Sequence, residues 1–380
     1  MNSVFGDVLS QHAASERISS PESETFVTLR LNGNGAVRRK IGEGKTPQAF
    51  SGYRLNAGQF IYSRIDARNG AFAIVPPELD GAVVSKDFPV FNIDRSLVDP
   101  RYLLSFVTTT KFIDAIRRLS FGATNRQRVK EEVFLRLPLV LPPLDEQRRI
   151  AAILDKADEL RTMRRQAIAH LDVLAKSIFY SMFGDPTKDS QWPNRPLNQI
   201  GKWQSGGTPA RSDSSNFVGD IPWYSSGELE NKKLSAAREH ISPAALANSS
   251  AKLIPAGSLL LGMYDTAALK SGITQLESAC NQAIAFARLR DDLVSTDYVY
   301  HCIQFGRKYY MRLQRGVRQK NLNLSMIKAI EIPVPPLELQ QTFATRVAAV
   351  ERLKETHRRH LAELDALFAS LQHRAFKGEL

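Results

Sequence analysis

The chain has 380 residues, 43% hydrophobic and 24% charged, a globular balance that excludes a disordered protein and leaves room for two ordinary domains. Its net charge of +12 and pI near 9.7 point to a polyanionic partner, nucleic acid above all. Cys280 and Cys302 make neither a disulfide framework nor a metal-spaced set. The start MNSVFGDVLSQHAAS lacks the basic-then-apolar order of a secretory signal, and no run reaches membrane-span length, so the expectation is a cytoplasmic protein.

Residues 1–140 alternate strand-like segments with turns. Strands are expected at Thr25 to Leu31, Gln59 to Ile65, Ala71 to Val75 and Val90 to Ile93, with a turn at Asn32-Gly33-Asn34-Gly35. Asp99 to Leu119 reads as one helix opened by Asp99-Pro100. A basic loop, Phe121 to Lys130, and a strand-like return to Leu141 follow.

Leu141 to Phe183 then runs about forty residues after a proline pair with no Pro or Gly, rich in Ala, Leu, Arg and Glu, which spells a long helix. At about 1.5 Å per residue it spans on the order of 60 Å. Asp145 and Glu146 suit its first turn, and Gly184-Asp185-Pro186 stops it. Two columns repeat by seven: Ile150, Ala157, Arg164, Leu171, Ile178, and Ile153, Leu160, Ala167, Leu174, Ser181. Eight of the ten are apolar, a seam for a second long helix.

Residues 186–333 repeat the plan. Trp203 to Pro209 is a loop, Ile221 to Leu229 a short strand and turn, Leu259 to Met263 and Ala283 to Arg288 strands, and Thr296 to Leu313 a helix followed by the basic stretch Gln314 to Asn323. Val334 to Phe376 is the second long helix. It aligns with the first without a gap at an offset of 193 residues: Pro142-Pro143-Leu144 falls on Pro335-Pro336-Leu337, Gln147 on Gln340, Leu160 on Leu353, and Phe183 on Phe376. Its seam is poorer: Phe343, Val350, Leu353, Leu364, Leu367 and Leu371 are apolar, but Arg346, His357, His360 and Arg374 interrupt it, and the polar column position Arg164 falls on His357, a residue type that can fix register. The globular regions also echo each other: Ala57-Gly58 with Ala256-Gly257, Asp66 with Asp265, Tyr102 with Tyr298, and a basic loop around Gly122 with one around Gly316. The expected fold is α+β, with two pseudo-twofold-related α/β domains and two long antiparallel helices forming a coiled coil. Each globular region carries a net charge of +5 and each helical stretch +1, so the basic surplus lies in the domains.

These features resemble the specificity subunits of type I restriction–modification systems. The likeness rests on the doubled lead-in Leu141 to Gln147 and Val334 to Gln340, with Ser205-Gly206-Gly207-Thr208-Pro209, Ile221-Pro222-Trp223-Tyr224 and Asn321-Leu322-Asn323 in the second domain. Leu339 departs from the first repeat's Glu146, and the first domain lacks the Gly-Gly-Thr-Pro loop. The resemblance implies target recognition domains at 1–140 and 186–333, spacer helices at 141–185 and 334–380, and a split double-stranded DNA target. It implies docking of two methyltransferase subunits and of restriction/translocase subunits. The methyltransferase partner would flip and methylate an adenine with S-adenosylmethionine, and the restriction partner would use ATP and Mg.

Candidate DNA contacts are Arg and Lys for phosphates, and Arg, Asn or Gln for base edges. In the first domain they are Tyr62, Ser63, Arg64 and Arg68, then Arg117, Arg118, Asn125, Arg126, Gln127, Arg128 and Lys130. In the second they are Thr208, Arg211, Tyr224, Lys232 and Lys233, then Arg315, Arg318, Gln319, Lys320 and Asn321. Candidate subunit-interface residues are Ile150, Ile153, Leu160, Leu171, Leu174, Phe343, Val350, Leu353, Leu364 and Leu367. Gly42-Glu43-Gly44-Lys45-Thr46 mimics the end of a phosphate-binding loop, but position 39 is arginine where that loop needs glycine. The histidines show no metal spacing, and no catalysis is expected of the chain itself. Two other readings compete: a coiled-coil scaffold whose basic domains bind DNA without sequence preference, and a nuclease or transferase with unrecognised motifs.

Overall fold

A computed structural model describes residues 3–12, 15–40, 48–120, 128–230, 232–314 and 321–380. The chain divides into two compact units, residues 1–165 with 359–380, and residues 166–358. Each contains one globular region and a length of both long helices, Leu144–Phe183 and Leu337–Ala375.

The first unit is built on an antiparallel sheet in the order Leu9–Gln11, Val90–Ile93, Phe60–Tyr62, Phe72–Ile74. Its alternate residues Phe60, Tyr62, Phe72 and Phe91 face a core that also takes Phe5 and Phe134, with Tyr62 and Phe134 ring centroids 4.7 Å apart. Each buried ring contributes roughly 1.5–3 kcal/mol. The expected helix from Asp99 to Leu119 is two helices, Pro100–Val107 and Thr110–Arg118. The threonine run breaks it: the Thr108 hydroxyl bonds back to Leu104 O, and Thr109 caps the second helix by accepting from Phe112 N. The expected strand before Leu141 begins instead as a short helix, Glu131–Leu135, and only Pro138–Leu139 is extended, paired with Ser3–Val4.

The second unit repeats that sheet order: Gln204–Ser205, Ile284–Ala287, Leu259–Gly262, Ser271–Thr274, with Lys233–Leu234 added in parallel at the edge. Asn194–Pro196 pairs with Glu331–Pro333 just before the second proline pair, as Ser3–Val4 pairs with Pro138–Leu139 before the first.

The repeat extends to single hydrogen bonds. Buried Gln147 accepts from Asp99 N at 2.9 Å and donates to Leu97 O and Pro142 O. Buried Gln340 accepts from Ser295 N at 2.9 Å and donates to Leu293 O and Pro335 O. Tyr102 Oη donates to Val140 O at 2.9 Å and Tyr298 Oη to Pro333 O at 2.8 Å. These clasps fix the angle at which each long helix leaves its domain.

Within each unit the two helices run antiparallel. In the first, Arg161 meets Asp365 at 2.6 Å and Gln372 reaches Ser105 O at 3.0 Å; in the second, Lys354 meets Asp172 at 2.7 Å and Phe179 packs on Phe343. The seam differs from expectation in one column. Ile150, Ala157 and Leu171 are buried as predicted, but the companion column is Leu154, Arg161, Ile168, Ala175, Met182, one residue later than the expected one. Leu160 and Leu174 are 40% and 44% exposed, and their counterparts Leu353 and Leu367 are also exposed. Ile153 and Leu364 are half-buried, while Phe343 and Val350 are buried. Arg164 and His357 are half-buried, while the polar members of the companion column are Arg161 and its 193-residue equivalent Lys354. Each side chain is tucked in and pairs with an equivalent acid, and Arg161 also lies 4.3 Å over the Phe368 ring.

Candidate nucleic-acid interface

In the first unit, Arg64, Arg128 and Lys130 line an open cleft with Gln11, Glu131 and Glu132. The strand Phe60–Tyr62 delivers Arg64 to its rim, and Val129 N bonds Arg64 O at 3.0 Å to bring in the other two. Arg64 pairs with Glu131, and Arg128 with Asp87 at 3.1 Å, so acids hold both guanidinium groups in place; Lys130 is exposed. Arg64 Nε is buried without a hydrogen-bond partner among the described residues.

Tyr62 and Ser63 point inward. Tyr62 Oη donates to Val129 O at 3.3 Å, and burial pushes its phenol above the ordinary range; Ser63 Oγ accepts from Asp66 N. Arg68 is half-buried and its carbonyl accepts from Arg117 Nε, while Arg117 also pairs with Asp114 at 2.8 Å. Arg118 is exposed. Asn125, Arg126 and Gln127 lie outside the described residues, as does Gly42-Glu43-Gly44-Lys45-Thr46.

In the second unit, Thr208 Oγ1 donates to Gln282 Oε1. The glycines before it are required by close approach: a Cβ on Gly206 would lie 2.2 Å from Cys280 O, and one on Gly207 2.3 Å from the Ser250 backbone. Arg211 grips Glu239 through both terminal nitrogens and lies 4.2 Å over the Phe217 ring. Tyr224 is buried and Lys233 exposed. Lys232 is turned inward, paired with Asp297 and 3.4 Å from His301 Nε2. Asn321 Oδ1 accepts from Asp265 N at 3.1 Å. Arg315, Arg318, Gln319 and Lys320 lie outside the described residues. Gln282 and Tyr264 are exposed side chains in the loops that flank these groups, and nothing in their local sequence distinguishes them.

His301 gives this unit a pH dependence. Burial first, then the neighbouring Lys232 and Lys354 charges, lower its pKa from 6.5 to about 3. The unfolded chain therefore takes up a proton below pH 6.5 that the folded unit refuses, so stability falls as pH drops from 6.5 towards 3. The slope approaches about 1.4 kcal/mol per pH unit. Urea unfolding at pH 7 and pH 5 should show this loss, and His301→Gln should flatten it. An equal pH dependence in the variant would rule His301 out as its source.

No group of three or more metal-ligating side chains occurs among the described residues, and no helix there is long and apolar enough to cross a membrane. What the geometry offers is two similar basic units, each clasped to the helix that follows it.

The type I restriction modification DNA specificity domain family matches residues 24–171 and again 189–366. The chain is 21% identical over 374 residues to the type I restriction enzyme HindI specificity subunit of Haemophilus influenzae, covering 78% of this chain and 81% of that one. Among solved structures it resembles a chain from work on complex assembly and conformational transition of the type I R-M system, with TM-score 0.61, 20% identity, and 99% and 97% of the two chains covered. It also resembles the type I restriction–modification S subunit from M. genitalium, with TM-score 0.58, 14% identity, and 99% and 95% covered. These two likenesses speak to the fold. With most of its length matched in two consecutive copies, the chain belongs to the type I restriction–modification DNA specificity family.

Proposed function

We propose that the chain is the sequence-reading subunit of a type I complex, with each unit recognising one half of a split DNA target. The carrying observation is the internal repeat: one sheet order, one glutamine clasp and one tyrosine bond occur twice, each leading into a long helix. Two like modules joined by long helices suit two half-sites on one duplex. Lysine and arginine contacts to phosphate would supply affinity, and base-edge contacts the choice of sequence. The domain bounds proposed are 1–140 and 186–333, with spacer helices at 141–185 and 334–380.

Leu160 with Leu367 in the first unit, and Leu174 with Leu353 in the second, leave equivalent apolar faces exposed beside the seam. One methyltransferase subunit on each face gives the stoichiometry of two, with restriction/translocase subunits joining that assembly in the cytoplasm. S-adenosylmethionine, ATP and Mg belong to those partners, and the chain itself catalyses nothing. Single-molecule methylation mapping of DNA from cells with and without this gene tests the reading. Loss of one two-part methylated motif on deletion is expected; an unchanged set of motifs in cells expressing the system overturns it.

A further inference from the structure

The turn between strands Leu259–Gly262 and Ser271–Thr274 is held from several directions. Two non-glycine residues in it adopt left-handed backbone, Asp265 at φ +47° and Leu269 at φ +56°. Such conformations persist where surrounding structure enforces them, and they cluster at ligand clamps and other working sites. Here the enforcement is visible. Arg307 Nε donates to Ala268 O at 2.9 Å and its Nη2 to Thr266 O at 2.7 Å. Gln304 donates to Leu269 O, Gln314 to Asp265 O, and Asn321 accepts from Asp265 N. The turn also folds tightly onto the strand end, since a Cβ on Gly262 would lie 2.2 Å from Ala267 O. What this scaffold presents is Tyr264, Asp265 and Thr266, three consecutive exposed residues, with the Tyr264 side of the turn bridged to Asn321 immediately after the basic stretch 315–320.

The first unit supports the corresponding turn more simply, with Gly70 its one left-handed residue among those described. Its turn lies between Phe60–Tyr62 and Phe72–Ile74, and Arg117 Nε donates to Arg68 O at 3.0 Å, as Arg307 does to Ala268 O. Val129 N bonds Arg64 O where Leu322 N bonds Met263 O. Strand register puts Ile65 where the second unit has Tyr264. Each unit thus commits an arginine of a neighbouring helix to a main-chain carbonyl of the turn, which fits the support of a surface whose shape matters.

We propose that the Tyr264–Leu269 turn is a rigid DNA-reading element of the second unit, with Tyr264 as a direct contact and Arg307 as its positioning residue. This rests on the DNA-reading function above and names the part of the unit that does it. An aromatic side chain on a fixed backbone contacts a groove at reduced entropic cost, through its hydroxyl to a phosphate or base edge and its ring to a sugar or thymine methyl. Arg307 acts through the turn, because its two donors fix the carbonyls on which the Tyr264 backbone path depends.

The test uses the complete methyltransferase assembled on this chain, with KM for DNA and the methylated motif as readouts. Tyr264→Ala should raise KM for DNA about tenfold, or loosen base preference in one half of the motif only. Arg307→Lys, which keeps the charge but loses the planar fork whose two nitrogens reach the two carbonyls, should act on the same half with kcat little changed. Tyr264→Phe guards against a folding defect: it keeps the ring and should give a smaller effect in the same half. Tyr309→Ala, exposed on the same unit outside the turn, should leave both readouts at wild-type values. A wild-type motif and KM in the Tyr264→Ala complex overturn the turn's role alone. A wild-type complex that methylates no split motif overturns the reading beneath it.

Discussion

Gln340→Ala should destabilise the second unit by about 4 kcal/mol, because one buried side chain serves three backbone groups. Ser295 N–H loses its acceptor, and Leu293 O and Pro335 O lose their donor. The site is fully buried, so the cavity left by alanine offers poor replacement. Ser295 also opens the helix Thr296–Tyr310, whose Tyr298 packs on Phe179 and Phe183, so the damage spreads into the core. Gln147→Ala should cost the first unit a similar amount through Asp99, Leu97 and Pro142. Urea unfolding of the full chain, with a probe in each unit, separates the two. A loss below about 1 kcal/mol in both variants would show that the clasps are incidental.

The second large effect is on spacing. One heptad inserted after Arg165 and one after Arg358 preserve the phase of the seam, since seven residues are two steps of 3.5. The helical connection between the units grows by about 10 Å, close to three base pairs at about 3.4 Å each. Methylation mapping should return both half-motifs unchanged, with about three more unread base pairs between them. Inserting three residues instead turns the seam out of phase and should abolish methylation. A motif with its original spacing after the heptad insertion would show that helix length does not set the separation of the half-motifs.

Much of the architecture was legible because it was written twice. The gapless offset from Pro142 to Phe183 located both long helices, and the echoes of Tyr102 in Tyr298 and Gln147 in Gln340 mark contacts the fold makes in both units. The second seam column was not legible. Ile153, Leu160 and Leu174 are as apolar as Leu154, Ile168 and Ala175, so periodicity left two adjacent columns nearly equal. The long stem of Arg161, stacked over Phe368 and paired with Asp365, joins the column that is buried. The break at Thr108 was hidden because helix propensity is summed over a window, whereas the threonine hydroxyls act on single backbone groups.

Among the candidate contacts, composition marked where basic residues cluster but not which are already engaged. Lys232 pairs with Asp297 and Arg211 with Glu239, partners 65 and 28 positions away in sequence. The left-handed turn has little sequence signal: aspartate at 265 tolerates such a conformation, but glycine is its usual mark and Leu269 gives no hint of it.

The matching acids Asp172 and Asp365 carry a further implication. Arg161 bonds Asp365 of the second helix, but the first helix bears the same acid at the corresponding place. A fragment ending soon after Phe183 therefore holds both halves of its own lock. The lock's chemistry does not tell the first helix from the second: an antiparallel copy of the first would offer Arg161 the same carboxylate.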